Sequence, residues 1–94
     1  MKKSEDSVAV VLAERGRRHG PFGSHSRIAQ RLKRVMEECP NWLNLADDQK
    51  EALQMVQHKV ARILNGDPDH TDSWLDIGGY ARLVADRLKK DGAE

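Results

Sequence analysis

Ninety-four residues make one small domain, and 38% hydrophobic, 33% charged and 4% aromatic content is polar but too apolar for a disordered chain. A single cysteine, Cys39, excludes a disulfide framework and a multi-cysteine zinc site, and the longest apolar run, Val8–Ala13, falls far short of the roughly 20 residues a membrane span needs. The net charge of +1 hides an asymmetry: residues 1–36 carry nine bases against three acids, a net +6, and residues 37–94 carry seven bases against twelve acids, a net −5.

Residues 1–7 are polar and read as frayed. Ser4 or Ser7 caps a first helix to about Arg18, where Val8, Val11 and Leu12 have helical spacing. His19–Gly23 holds two glycines and a proline and reads as a turn. Ser24 then caps a second helix. Its apolar stripe is Ile28, Ala29, Leu32, Val35, Met36 and Cys39, with His25 on the same face and Pro40 as the stop. Residues 40–46 form a loop whose Trp42, Leu43 and Leu45 plug the interior.

Asp47 and Asp48 put negative charge at the start of a third helix, where the dipole favours it. That helix runs to about Asn65 on a stripe of Leu53, Val56, Val60, Ile63 and Leu64, and Gly66 and Pro68 end it. Asp69 or Thr71 caps a fourth helix to about Lys89, with Trp74, Ile77, Ala81, Val84 and Leu88 inward. Gly78 and Gly79 inside it each cost roughly 1 kcal/mol against alanine, which points to close helix packing. The expected fold is all-α: one small four-helix bundle with its core in residues 8–89. So small a core favours a homo-oligomer. With no leader pattern and no span, a cytoplasmic protein without membrane contact is expected.

Chemistry concentrates between His58 and Val84. Asp72 and Asp76 lie one helical turn apart on one flank, with Tyr80 nearby, and Lys59 sits on a comparable flank of the third helix. One reading is a magnesium site at Asp72 and Asp76, with Lys59 and Arg62 on phosphates and Tyr80 stacking or hydrogen-bonding. The plainer reading, which two carboxylates at this spacing more often have, is an ion-pair network that fixes helix register. The four histidines show no zinc spacing, and no P-loop, GxGxxG or GxSxG is present. Arg27, Arg31 and Arg34 offer a basic surface on the second helix for a protein partner, or, in third place, for DNA. The charge asymmetry fits such a surface, and it fits equally two halves of a fold or dimer attracting each other.

The segments ERGRRHGPFGSHSRIAQRLK, QKEALQMVQHKVARILNGDP and DSWLDIGGYARLV resemble a family of small uncharacterised proteins carried mainly by phages and prophages, over roughly residues 11–88. The last two helices look distantly similar to the all-α nucleoside triphosphate pyrophosphohydrolases of the MazG and dUTPase type. That resemblance implies a nucleotide ligand, magnesium held by acids on two helices, and a dimer or tetramer. Asp72 and Asp76 match the final acidic motif at spacing four rather than three. The earlier ExxE motif has no counterpart, so turnover is not implied. The expected role is a phage-type accessory protein with a nucleotide- and magnesium-related site. The alternative is a non-enzymatic module that binds a host or phage protein.

Overall fold

The computed structural model describes residues 2–92, and of residues 2–6 only the backbone. It is all-α. Helix α1 spans Lys2–His19, α2 Phe22–Glu38, α3 Asp47–Asn65 and α4 Thr71–Lys90, and a 3-10 turn covers Pro40–Asn44. The backbone is helical from Lys2, so Ser4 and Ser7 lie inside α1 rather than at its start; Met1, the rest of the expected fray, lies outside the described residues.

The turn between α1 and α2 is shorter than its composition suggests. Gly20 takes φ +75°, a left-handed conformation that glycine adopts without strain, and its N–H donates to Gly16 O at 2.9 Å. Pro21, extended at φ −63°, is the N-cap of α2, a position where its missing N–H costs nothing. Ser24 is thus inside α2. Its hydroxyl approaches Pro21 O at 3.1 Å and Asn65 Oδ1 at 2.7 Å.

Asn65 at the end of α3 holds this corner. Its Nδ2 donates to His19 O at 2.8 Å and to Pro21 O at 2.9 Å. Asp67 N–H adds a bond to Arg18 O at 2.7 Å. Between them, Gly66 lies so close to the Arg18 and His19 backbone that a Cβ would overlap it. The carbonyls left over at the end of α1 are therefore satisfied by α3's last residue and the loop after it.

Helix α3 is central. It packs against α4 along its length and against α2, whereas α2 and α4 share no substantial contact, and α1 touches α2 and α3 only lightly. Arg87 of α4 forks onto Asp48 at the start of α3 (Nε to Oδ2 2.9 Å, Nη2 to Oδ1 2.6 Å). Gln49 Oε1 accepts Ala46 N–H at 2.8 Å at the same end, and His70 is the N-cap of α4. The four helices expected from the pattern are present, with α3 in contact with each of the others.

The core differs from that expectation. Its buried residues are Ala29, Ala61, His25, Gln57 and Ser73, and no large side chain is fully buried. The expected stripes are only half covered. Leu53, Leu64, Val35 and Trp74 are exposed, and Leu43, expected to plug the interior, is 81% exposed. Trp74 satisfies its indole by donating to Pro68 O at 2.7 Å. Gly78 and Gly79 face open space, so no helix of the same chain makes the close approach expected there.

Replacing Asn65 by alanine is expected to lower stability by about 1–3 kcal/mol, because two carbonyls and a hydroxyl lose their partner. Asn65→Asp is expected to be worse, since a carboxylate would face two carbonyl oxygens. Urea unfolding checks both; midpoints equal to the parent's would show that the corner is held by something else.

Candidate functional site

The corner turns the last turns of α1 over the ends of α2 and α3 and leaves a cleft of about 570 Å³ between them. Arg15 and His19 reach it from α1, Phe22 and His25 from α2, and His58 and Arg62 from α3. Among the described residues no carboxylate lines it. Neither Arg15 nor Arg62 forms an ion pair among the described residues. Burial and the neighbouring Arg15 hold the pKa of Arg62 below the usual arginine value, with Asp76 opposing them. Two guanidinium groups thus converge without a neutralising partner, an arrangement that favours a bound anion.

The histidines are kept neutral around them. Burial, with the charge of Arg62 next, pushes His58 down from 6.5 to about 4. His25 and His19 are lowered by the same two causes in the same order. The His25 and His58 rings meet edge to face at 4.9 Å. His25 is 6% exposed, and its Nδ1 has no hydrogen-bond partner among the described residues. A buried polar atom without a partner is costly, and in a cleft it is a place for a ligand atom or a water. Phe22 stands at the rim, 80% exposed, its ring 6.1 Å from that of His25.

The residues singled out from the sequence divide. Lys59 Nζ pairs with Asp76 Oδ2 at 2.9 Å across the α3–α4 interface, and the lysine side chain is only 12% exposed. The helical wheel put the two residues on comparable flanks, and the packing of α3 on α4 brings them together. Arg62 lies beside it and belongs to the cleft. Asp72 points outward, 77% exposed, with His70 Nε2 at 3.9 Å. His70 in turn stands edge-on to His19 at 5.8 Å. Tyr80 is half-buried on α4 and lines neither this cleft nor the apolar groove between α3 and α4. Arg27, Arg31 and Arg34 are exposed on the outer side of α2, away from the cleft lining.

Among the described residues, no group of three or more His, Cys, Asp and Glu side chains is placed to hold a metal ion. With Asp76 committed to Lys59 and Asp72 in solvent, the pair does not fit a resident magnesium. Sequence reasoning missed Arg15, His19, His25, Phe22 and His58 as cleft residues. The available signal was the basic tract Glu14–Phe22, which ends where the cleft opens.

The family described as domain of unknown function (DUF6378) matches residues 5–88. The chain belongs to this family. The match takes in all four helices, so the DUF6378 domain includes the corner, the cleft and the Lys59–Asp76 pair. Its description names no activity. Neither the curated proteins nor the solved structures contain a match. No helix of the described residues is long and apolar enough to cross a membrane.

Two outcomes follow from this geometry. Asp76→Ala strands a largely buried ammonium and is expected to cost about 1–3 kcal/mol, while Asp72→Ala stays within about 0.5 kcal/mol of the parent. Equal losses in denaturant unfolding would mean that the two acids share one role. The second outcome concerns pH. The histidine pKa values are lower in the folded state, so acid protonates the unfolded chain first. Stability is expected to be level above pH 7, to fall between about 6.5 and 4 as the unfolded histidines charge, and to fall less steeply in that window in His58→Gln. A urea midpoint that stays constant from pH 7 to 4.5 would contradict neutral buried histidines.

Proposed function

We propose that this chain is a binding protein for a polyphosphate-bearing ligand of the nucleotide class, held in the α1–α2–α3 cleft. The observation that carries the reading is the convergence of Arg15 and Arg62 in a cleft that no carboxylate lines among the described residues. Guanidinium groups are suited to phosphate because their planar N–H pairs match its oxygens. His19, His25 and His58, kept neutral, each offer one donor and one acceptor. Phe22 and Leu12 give the cleft an apolar edge against which a base can lie. Lys59 stands beside the cleft with its charge already balanced by Asp76.

The likeness of the last two helices to MazG-type pyrophosphohydrolases supports the same ligand class, and the likeness to phage and prophage proteins supports an accessory role in an infected host. Hydrolysis is not part of the reading. The metal-binding acids that such chemistry uses are absent as a cluster from the described residues. A second reading rests on Arg27, Arg31 and Arg34, which are exposed on α2 and form no ion pair among the described residues. They would serve an acidic surface of a host or phage protein, or nucleic acid.

Isothermal titration separates the two. Inorganic pyrophosphate and the nucleoside triphosphates, each with magnesium and with EDTA, are the probes. Binding is expected to weaken at least tenfold in Arg62→Ala and in Arg15→Ala, about the loss of one charge-assisted hydrogen bond, and to be unchanged in Arg31→Ala. Absence of heat with every probe, or loss only in Arg31→Ala, would overturn the cleft reading.

A further inference from the structure

The chain exposes far more surface than its mass requires. Its accessible surface is 6973 Å². A compact protein of 10.6 kDa exposes roughly 5,500 Å². The radius of gyration is 16.4 Å, against roughly 12 Å for a compact chain of this length. The excess is roughly 1,500 Å², whereas each partner in a standard-size interface contributes roughly 800 Å². The excess surface is apolar in two places, and the two are complementary in shape.

The first is a ridge. Val8, Val11 and Leu12 share one face of α1 and are 57%, 47% and 60% exposed, while Val10 points away from that face. The longest dimension of the molecule is 53 Å. That is close to α1 and α3 laid end to end, roughly 27 and 28 Å at 1.5 Å per residue. Helix α1 touches α2 and α3 only lightly and is not packed along the α3–α4 hairpin. The second is a groove. Leu45, Ala52, Leu53 and Val56 face Ile77, Ala81 and Val84 across about 370 Å³ of open space. It lies toward the start of α3 and the end of α4, the opposite end of the hairpin from the α1 corner. The ridge of a chain cannot reach its own groove.

We infer that the occupant of the groove is a second copy of this chain, which lays the Val8–Leu12 ridge of its α1 into the α3–α4 groove of the first. A two-fold axis seats both ridges in both grooves at once, so every patch is covered and the assembly closes as a dimer. Ridge on ridge would leave both grooves uncovered and groove on groove both ridges, whereas ridge in groove covers all four patches. Charge agrees. Near the end of α1 the single carboxylate of Glu14 is shared by Arg17 and Arg18, which leaves that end net positive, while Asp47 and Glu51 at the start of α3 beside the groove form no ion pair among the described residues. Leu12 also borders the cleft, so the inference is carried by Val8 and Val11 and uses no ligand.

The test is mass in solution, followed by site-directed cross-linking in a Cys39→Ser background. Sedimentation is expected to give twice the 10.6 kDa chain mass at micromolar concentration. Chains carrying Val11→Cys and Leu53→Cys, co-expressed with different tags, are expected to form a mixed disulfide on mild oxidation. Val8→Asp with Val11→Asp is expected to raise the dimer dissociation constant roughly 30-fold or more, with helical circular dichroism retained, because these side chains touch no core of their own chain. A monomer at all concentrations overturns the proposal. So does a dimer in which Leu53→Cys links only to itself, or one that the paired aspartates leave intact. Phosphate binding that is lost while the dimer persists bears on the cleft alone.

Discussion

The side chain of Asn65 decides the shape of this molecule. One amide at the end of α3 donates to the carbonyls of His19 and Pro21 and lies against the hydroxyl of Ser24. Those contacts fix where α1 leaves and where α2 begins. Gly20 supplies the left-handed residue the corner needs, and Gly66 supplies the room. Because α1 leaves in this direction, Arg15 and His19 come to face Arg62 and His58. For the same reason the rest of α1 is not packed along the hairpin and its valines stay uncovered. The cleft and the uncovered valines are two results of one polar contact.

The electrostatics of the two ends differ. At the far end of the α3–α4 hairpin, Arg87 and Asp48 form a forked pair in which Arg87 also meets Asp91 at 3.3 Å. The guanidinium lowers the carboxyl of Asp48 below the usual aspartate range. Such a pair, near the surface, adds little stability but sets the register of the two helices. In the middle, Lys59 and Asp76 neutralise each other at the α3–α4 seam. At the corner, positive charge is left over. The three zones lie along one helix, α3, and in the last Arg15 and Arg62 form no ion pair among the described residues.

Much of the fold was legible. All four helices were expected from period and punctuation, and the ends of α3 at Asp47 and Asn65 follow from the paired acids and Gly66. Local signals at the α1–α2 turn were misleading. Ser24 reads as a cap, but Pro21 takes that place because Asn65, 44 residues away in sequence, pairs with its carbonyl. The core was misread for a related reason. Periodicity identifies a face that wants burial, not what buries it. In α3, Gln57 and Ala61 are buried while Leu53 and Leu64, four residues before and seven after Gln57 on the same face, are exposed. Of the site, wheel geometry put Lys59 and Asp76 on comparable flanks of α3 and α4, but that these flanks meet depends on helix crossing, which periodicity does not fix. The cleft was not legible, since it depends on a tertiary hydrogen bond that no spacing encodes.

The central claim is that the corner built on Asn65 assembles an anion site from α1, α2 and α3. Amide and imidazole NMR of the labelled protein during titration with inorganic pyrophosphate tests it most directly. The account expects saturable shifts at Arg15, His19, His25, His58 and Arg62, and their loss in Asn65→Ala under conditions where that variant remains folded. Shifts confined to Arg27, Arg31 and Arg34, or identical titrations in the two proteins, would contradict it.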